Sequence, residues 1–199
     1  MARSKLETSI RQQQIVQAAL DIVADYGPKA LSMARVASRL GLVPSAIYRH
    51  FAGKDAMLDA AMDLVGRKLM DNVTAATGLS DDPMQQLREL LLRHIRMIRE
   101  NIAIPRVVFS EDALGARAER KARARGILTG YLGAVAGIVE GGQAQGAIRR
   151  DLDARTAALI FMGLILPAGI LWHMTDGKFD VTRHAERAWR IFSRAMSPR

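Results

Sequence analysis

Apolar side chains at Ile15, Ala18, Ala19, Ile22, Val23 and Tyr26 recur at i, i+3, i+4, i+7, i+8 and i+11, one face of an amphipathic helix. Gly27-Pro28 ends it, because glycine caps a helix and proline cannot continue one. Ser32 is placed to cap a second helix of about two turns, with Met33, Val36, Ala37 and Leu40 as its apolar stripe and Gly41 as its stop. Pro44 then opens a third helix at a first-turn position where its missing N–H does no harm. Ala46, Ile47 and Phe51 face inward, leaving Ser45, Tyr48, Arg49 and His50 largely outward. After Ala52-Gly53, Lys54 and Asp55 start a fourth helix that runs to about Ala76.

The same periodicity fills the rest of the chain. It predicts helices over Met84–Glu100, Ile104–Leu114, Ala116 to about Gln145, Ala154–Thr175 and Val181–Met196. No strand pattern or internal repeat interrupts them. The expectation is an all-α protein of about nine helices: a small three-helix domain over residues 1–52 and a larger helical bundle over 53–199.

Composition narrows the class. Of 199 residues, 49% are hydrophobic, enough for a sizeable core. The net charge of +9 favours polyanionic partners, but it is spread along the chain and locates no surface. The absence of cysteine excludes disulfides, thiol catalysis and cysteine-ligated zinc, and suits the cytoplasm. The N-terminus lacks the apolar run of a signal peptide. The most apolar stretch, Ala157 to Trp172, is shorter than the roughly 20 residues a bilayer needs, and Pro167 interrupts it. It reads as a buried helix, with no membrane partner. No phosphate loop, nucleophile elbow or zinc-protease motif occurs, so no enzyme, cofactor or metal is expected.

Met33–Phe51 carries the chemistry. Two short helices joined by a tight turn at Gly41 form a helix-turn-helix, in which the first braces the second and the second enters the major groove of DNA. An apolar inner face sets the angle, small outward residues allow approach to base edges, and cations and hydroxyls hold phosphates. Residues 44–50 meet these needs. Arg49 can reach a guanine edge or a phosphate, and Lys54 adds a cation at a helix start, where N–H groups already favour anions.

The run Gly41-Leu42-Val43-Pro44-Ser45-Ala46-Ile47-Tyr48-Arg49-His50-Phe51, with Lys54-Asp55 and Leu58, closely resembles the tetracycline-repressor (TetR) family of bacterial regulators. Gly27, Leu31-Ser32 and Val36-Ala37 fall in place too. Outside residues 10–60 the likeness is architectural. The resemblance implies that Tyr48, His50 and Lys54 contact phosphate, that Ser32 and Arg35 lie near the backbone or groove edge, and that Pro44, Ser45 and Arg49 approach bases. It implies a homodimer whose last two helices form the interface, with Gly163, Pro167, Ile170, Ala188, Trp189 and Phe192 as candidates. It implies a small-molecule pocket among Leu91, His94, Ile95, Ile98, Phe109, Met162 and Leu166. One departure stands out: Val43 occupies a cap position where the family commonly has Ser or Thr, forgoing about 1 kcal/mol of side-chain capping.

Some features have two readings. The basic run Arg117, Arg120, Lys121, Arg123, Arg125 is a solvated helix face or a second nucleic-acid patch. Gly126, Gly130, Gly133, Gly137 and Gly141 form a stripe that packs closely against the Gly163/Gly169 helix or makes room for a ligand. His94, His173 and His184 have no metal-ligand spacing. Met62, Met97, Met162 and Met174 fill core or soften a pocket. The function expected is a ligand-responsive DNA-binding regulator, a repressor released from a palindromic operator by a small apolar molecule. The alternatives are an activator, a ligand-independent DNA-binding protein, or a small-molecule binder that no longer reads DNA.

Overall fold

The computed structural model describes residues 2–100 and 118–198, with side chains described throughout these except at 2–7 and 28. Among the described residues there are helices and no strands. They are α1 (Ala2–Tyr26), α2 (Met33–Arg39), α3 (Pro44–Tyr48), α4 (Lys54–Thr77), α5 (Pro83–Glu100), α6 (Ala118–Ala144), α7 (Ala154–Gly163), α8 (Leu166–Met174) and α9 (Val181–Met196), with a 3-10 turn at Pro28–Ala30. Side chains that accept from backbone N–H groups start several of them. Ser32 Oγ accepts from Arg35 N at 3.2 Å, Asp153 from Thr156 N at 2.7 Å and Asp180 from Arg183 N at 2.9 Å.

The expected elements recur with two changes. Helix α1 begins at Ala2, well before its apolar stripe. The single helix expected over Ala154–Thr175 is two. Pro167 has no N–H for the carbonyl of Gly163, so the ladder fails there. The chain turns through Leu164 and Ile165, and Ile165 N bonds Met162 O at 3.0 Å. Counted from Ala154 to Met174 this stretch has 21 residues and the apolar composition of a membrane span, so it is longer than the sequence reading allowed. The helix expected at Ile104–Leu114 lies outside the described residues.

Backbone contacts divide the chain into two compact units. One holds residues up to Val65 with the start of α6 as far as Ala124; the other holds Gly66–Glu100 and Arg125 onward. The division therefore falls inside α4, beyond the residue 52 boundary of the sequence reading. Ile15, Ile22, Val36, Ile47 and Met57 are buried in the first unit, and Leu87, Leu90, Tyr131, Val135 and Phe161 in the second.

The glycine stripe of α6 does not pack as expected. Gly126, Gly130, Gly133 and Gly137 are exposed, and nothing lies within 4 Å of where a Cβ would stand. Gly163 is equally open, and Gly169 abuts Ile98 instead. Gly142 behaves differently: a Cβ there would meet Ile148 Cδ1 at 2.5 Å and Pro83 Cβ at 3.1 Å. Gly130→Ala should therefore stabilise the protein by up to about 1 kcal/mol through helix propensity. Gly142→Ala should destabilise it by about 1–3 kcal/mol through overpacking. Urea unfolding of the two variants checks this, and the reverse order would contradict it.

Candidate nucleic-acid interface

Helices α2 and α3 pack against each other through Val36, Ala37, Ala46 and Ile47, all buried. Gly41 makes the turn between them in the left-handed region (φ +65°), a conformation that penalises a Cβ. Leu42 N then bonds back to Ala37 O at 2.9 Å. Val43 caps α3 with extended backbone and no side-chain bond, and Pro44 supplies the preset first turn. Helix α3 has only five residues, too few to hold itself together in water. Ile47, fully buried, and Phe51, nearly so, anchor it from below.

This anchoring turns the other side of α3 outward. Pro44, Ser45, Tyr48 and Arg49 are exposed, Tyr48 by 55%, as are Ser32 and Arg35 at the start of α2. Val43 is also exposed, an apolar group on a polar face that suits a thymine methyl; the sequence reading treated it only as a cap. His50 is a partial correction. Its ring is half-buried, and Nδ1 is enclosed without a hydrogen-bond partner among the described residues. Lys54 is the first residue of α4 and is half-buried.

The periphery is braced from α1. The Arg35 guanidinium sits over the Tyr26 ring, 5.1 Å from its centroid, and donates to Ala30 O at 3.4 Å. Arg39 donates to Asp25 at 2.7 Å, which holds its pKa above the ordinary arginine value. Tyr26, the last position of the apolar stripe of α1, is exposed, and nothing in the periodicity marked it or its neighbour Asp25 as partners of α2.

Within the basic run on α6, Lys121, Arg123 and Arg125 are exposed, as a solvated face requires, and Arg120 alone departs from it. Arg120 is only 4% exposed. Its Nε donates to Asp59 at 2.7 Å and its Nη2 to Asp55 at 2.9 Å. Arg123 donates to Asp63 at 2.6 Å. Asp55, Asp59 and Asp63 lie four residues apart on α4, so one acidic stripe meets two cations. Burial pulls the Arg120 pKa down, but the two carboxylates outweigh it, and the net change is upward.

Of the pocket candidates, Leu91, His94, Ile95, Ile98 and Met162 are buried in the second unit. Leu166 differs from these in being exposed, and Phe109 lies outside the described residues. His94 Nδ1 lies 3.1 Å from the Tyr131 hydroxyl, with the rings perpendicular. Burial lowers the His94 pKa to about 4 and pushes the Tyr131 phenol up, so both are neutral. Among the described residues no cluster of side chains is placed to hold a metal ion.

Of the interface candidates, Gly163, Pro167 and Ile170 are exposed, and Ala188 and Trp189 half-buried. Phe192 is a correction: it is buried within the protomer, against Phe161 and Trp189. The outward apolar positions beside these are Leu159, Ile160, Leu171 and, at 74% exposure, Ile191. Leu159, Ile160 and Leu171 escaped notice because, by periodicity alone, a very apolar helix looks buried on every side.

An exposed polar face on a short helix, clamped from beneath by another, defines a helix-turn-helix DNA-binding protein. The family model for bacterial regulatory proteins of the tetR family matches residues 15–75, and that for the YsiA-like protein C-terminal region matches residues 64–195. The chain belongs to the tetR family of bacterial regulatory proteins and is a DNA-binding transcription regulator. The fatty acid metabolism regulator protein of Bacillus subtilis is 24% identical over 173 residues, 86% of this chain and 88% of that one. The probable acrEF/envCD operon repressor of Escherichia coli is 24% identical over 195 residues, 92% of this chain and 85% of that one. Two solved structures share the fold. A TetR transcription regulator from Haloarcula marismortui superposes with a TM-score of 0.82 at 19% identity, over 96% of this chain and 100% of that one. The FadR regulator of Bacillus subtilis, solved with stearoyl-CoA, gives 0.80 at 21% identity, over 92% and 98%.

Proposed function

We propose that a homodimer of this chain represses transcription in the cytoplasm by holding a palindromic operator, with α3 of each protomer in the major groove, and that an effector of the fatty-acyl thioester class releases it. One observation carries the DNA half: α3 buries Ile47 and leaves Pro44, Ser45, Tyr48 and Arg49 facing out. In this scheme Pro44, Ser45 and Arg49 approach bases, while Tyr48, His50 and Lys54 contact phosphate. Ser32 and Arg35 lie at the groove edge. Residues 1–52 read DNA, joined by Lys54 at the start of α4; the rest of 53–199 binds effector and partner, and nothing in it is assigned catalysis.

The effector half is supported by what the relatives regulate or bind, and by the buried apolar set Leu91, Ile95, Ile98 and Met162 around the neutral His94–Tyr131 pair. The dimer is supported by the exposed apolar side chains of α7, α8 and α9. A two-fold protein calls for a two-fold site.

Selection from random duplexes, with and without palmitoyl-CoA, tests both halves. A palindrome should be enriched and then lost on adding the thioester. Lys54→Ala should weaken all duplexes alike and make the logarithmic salt dependence shallower by about one unit. Arg49→Ala should change which sequence is enriched if Arg49 meets a base. Failure of any sequence to enrich would remove the DNA assignment.

A further inference from the structure

We infer that the groove between α5 and α9 is a binding site for a phosphorylated nucleotide. The inference deepens the effector proposed above, because the anionic end of an acyl-CoA is such a ligand. Within the second unit the groove has a wide part of about 1150 Å³ and a narrow part of about 290 Å³. Among the described residues Glu186 is the one that lines both parts.

The walls are cationic. Arg88, Arg96 and Arg99 stand on one face of α5, Arg183 and Arg190 one face apart by seven residues on α9, and Lys178 precedes α9. Among the described residues none of these six is ion-paired. Arg99 spends one of its donors on Thr182 Oγ1 at 3.2 Å. Three acids share the lining: Glu100, Glu186 and Asp180. Asp180 is already engaged as the cap of α9. Six cations gathered against three carboxylates leave a positive field focused by the groove. Arginines bind phosphate through paired donors.

The floor adds aromatic surface. The chain has two tryptophans, and both line the groove, Trp172 in the wide part and Trp189 in the narrow one. The left-handed turn at Gly177 (φ +81°) brings the chain against the Trp172 indole, and Gly177 N bonds Trp172 O at 2.8 Å. Indole beside unpaired guanidinium groups suits a ligand that is itself a flat ring carrying phosphate.

Because both tryptophans are in the groove, intrinsic fluorescence reads it directly. The full-length dimer, in about 0.15 M salt to screen loose attraction, is titrated with adenosine 3′,5′-bisphosphate, coenzyme A, palmitoyl-CoA, palmitate and inorganic phosphate, with calorimetry in parallel. The bisphosphate and coenzyme A should bind saturably, and inorganic phosphate should compete poorly. Arg96→Ala/Arg99→Ala should weaken both nucleotides about tenfold or more, as should Lys178→Ala/Arg183→Ala, with operator affinity in the absence of nucleotide unchanged. No saturable nucleotide binding, binding indifferent to both double variants, or loss of operator affinity in them would overturn the assignment. If palmitoyl-CoA frees the operator but the bisphosphate never binds, the groove fails and the effector stands. If the bisphosphate binds through these arginines but no acyl-CoA frees the operator, the groove stands and the effector fails.

Discussion

Replacing Asp55 and Asp59 together by alanine should destabilise the protein by about 3–5 kcal/mol, because it leaves the buried Arg120 guanidinium without its carboxylates. The two sides of the bridge are unequal. Arg120 is 4% exposed, whereas the Asp55 and Asp59 side chains are 47% and 35% exposed. Water can resolvate a stranded aspartate but not a stranded arginine. Arg120→Met should therefore do less damage, since it keeps the packing of the stem and leaves only part-solvated acids. The triple replacement, with the cation also gone, should recover most of the loss. Denaturant unfolding of the three variants measures the order, and Arg120→Met proving the most harmful would refute this account. The Arg123–Asp63 pair is exposed on both sides, and its removal should cost under about 1 kcal/mol.

Acid should weaken the second unit through His94. Its folded pKa of about 4 lies below the ordinary 6.5, with burial as the cause. The contribution is thus complete above about pH 6.5, and it is lost as pH falls towards 4, because the unfolded chain takes up the proton first. A gap of this size corresponds to about 3 kcal/mol. The comparison is wild type against His94→Gln at pH 7 and pH 4.5. The wild type should lose more stability over that interval, and equal losses would show that His94 does not stay neutral.

The helix-turn-helix was legible because its parts are local. Gly41 needs a left-handed turn, Pro44 prefers a first turn, and the spacing of Val36, Ala37, Ala46 and Ile47 sets the buried side. Each of these acts within a few residues. The half-buried His50 was not legible, since a helix of five residues offers too little periodicity to separate inward from outward at its end. The Arg120 bridge was invisible for another reason. Its partners are about 60 residues away, and helical period says nothing about which helix a charged stripe will meet. The stripe at Asp55, Asp59 and Asp63 could be seen, but not its destination. The split between α7 and α8 does have a local signal, Pro167, whose missing N–H interrupts a helix ladder. Phe192 was misplaced because an aromatic at the right spacing fits the inner and the outer side of α9 alike.

A reading element one and a half turns long has no stiffness of its own. Whatever sharpness α3 brings to an operator is borrowed from Ile47 and Phe51 beneath it and from the α2 scaffold beside it. Damage to that foundation would therefore masquerade as damage to recognition: a cavity opened at Val36 or Ile22 would blur the choice of sequence although neither side chain comes near a base.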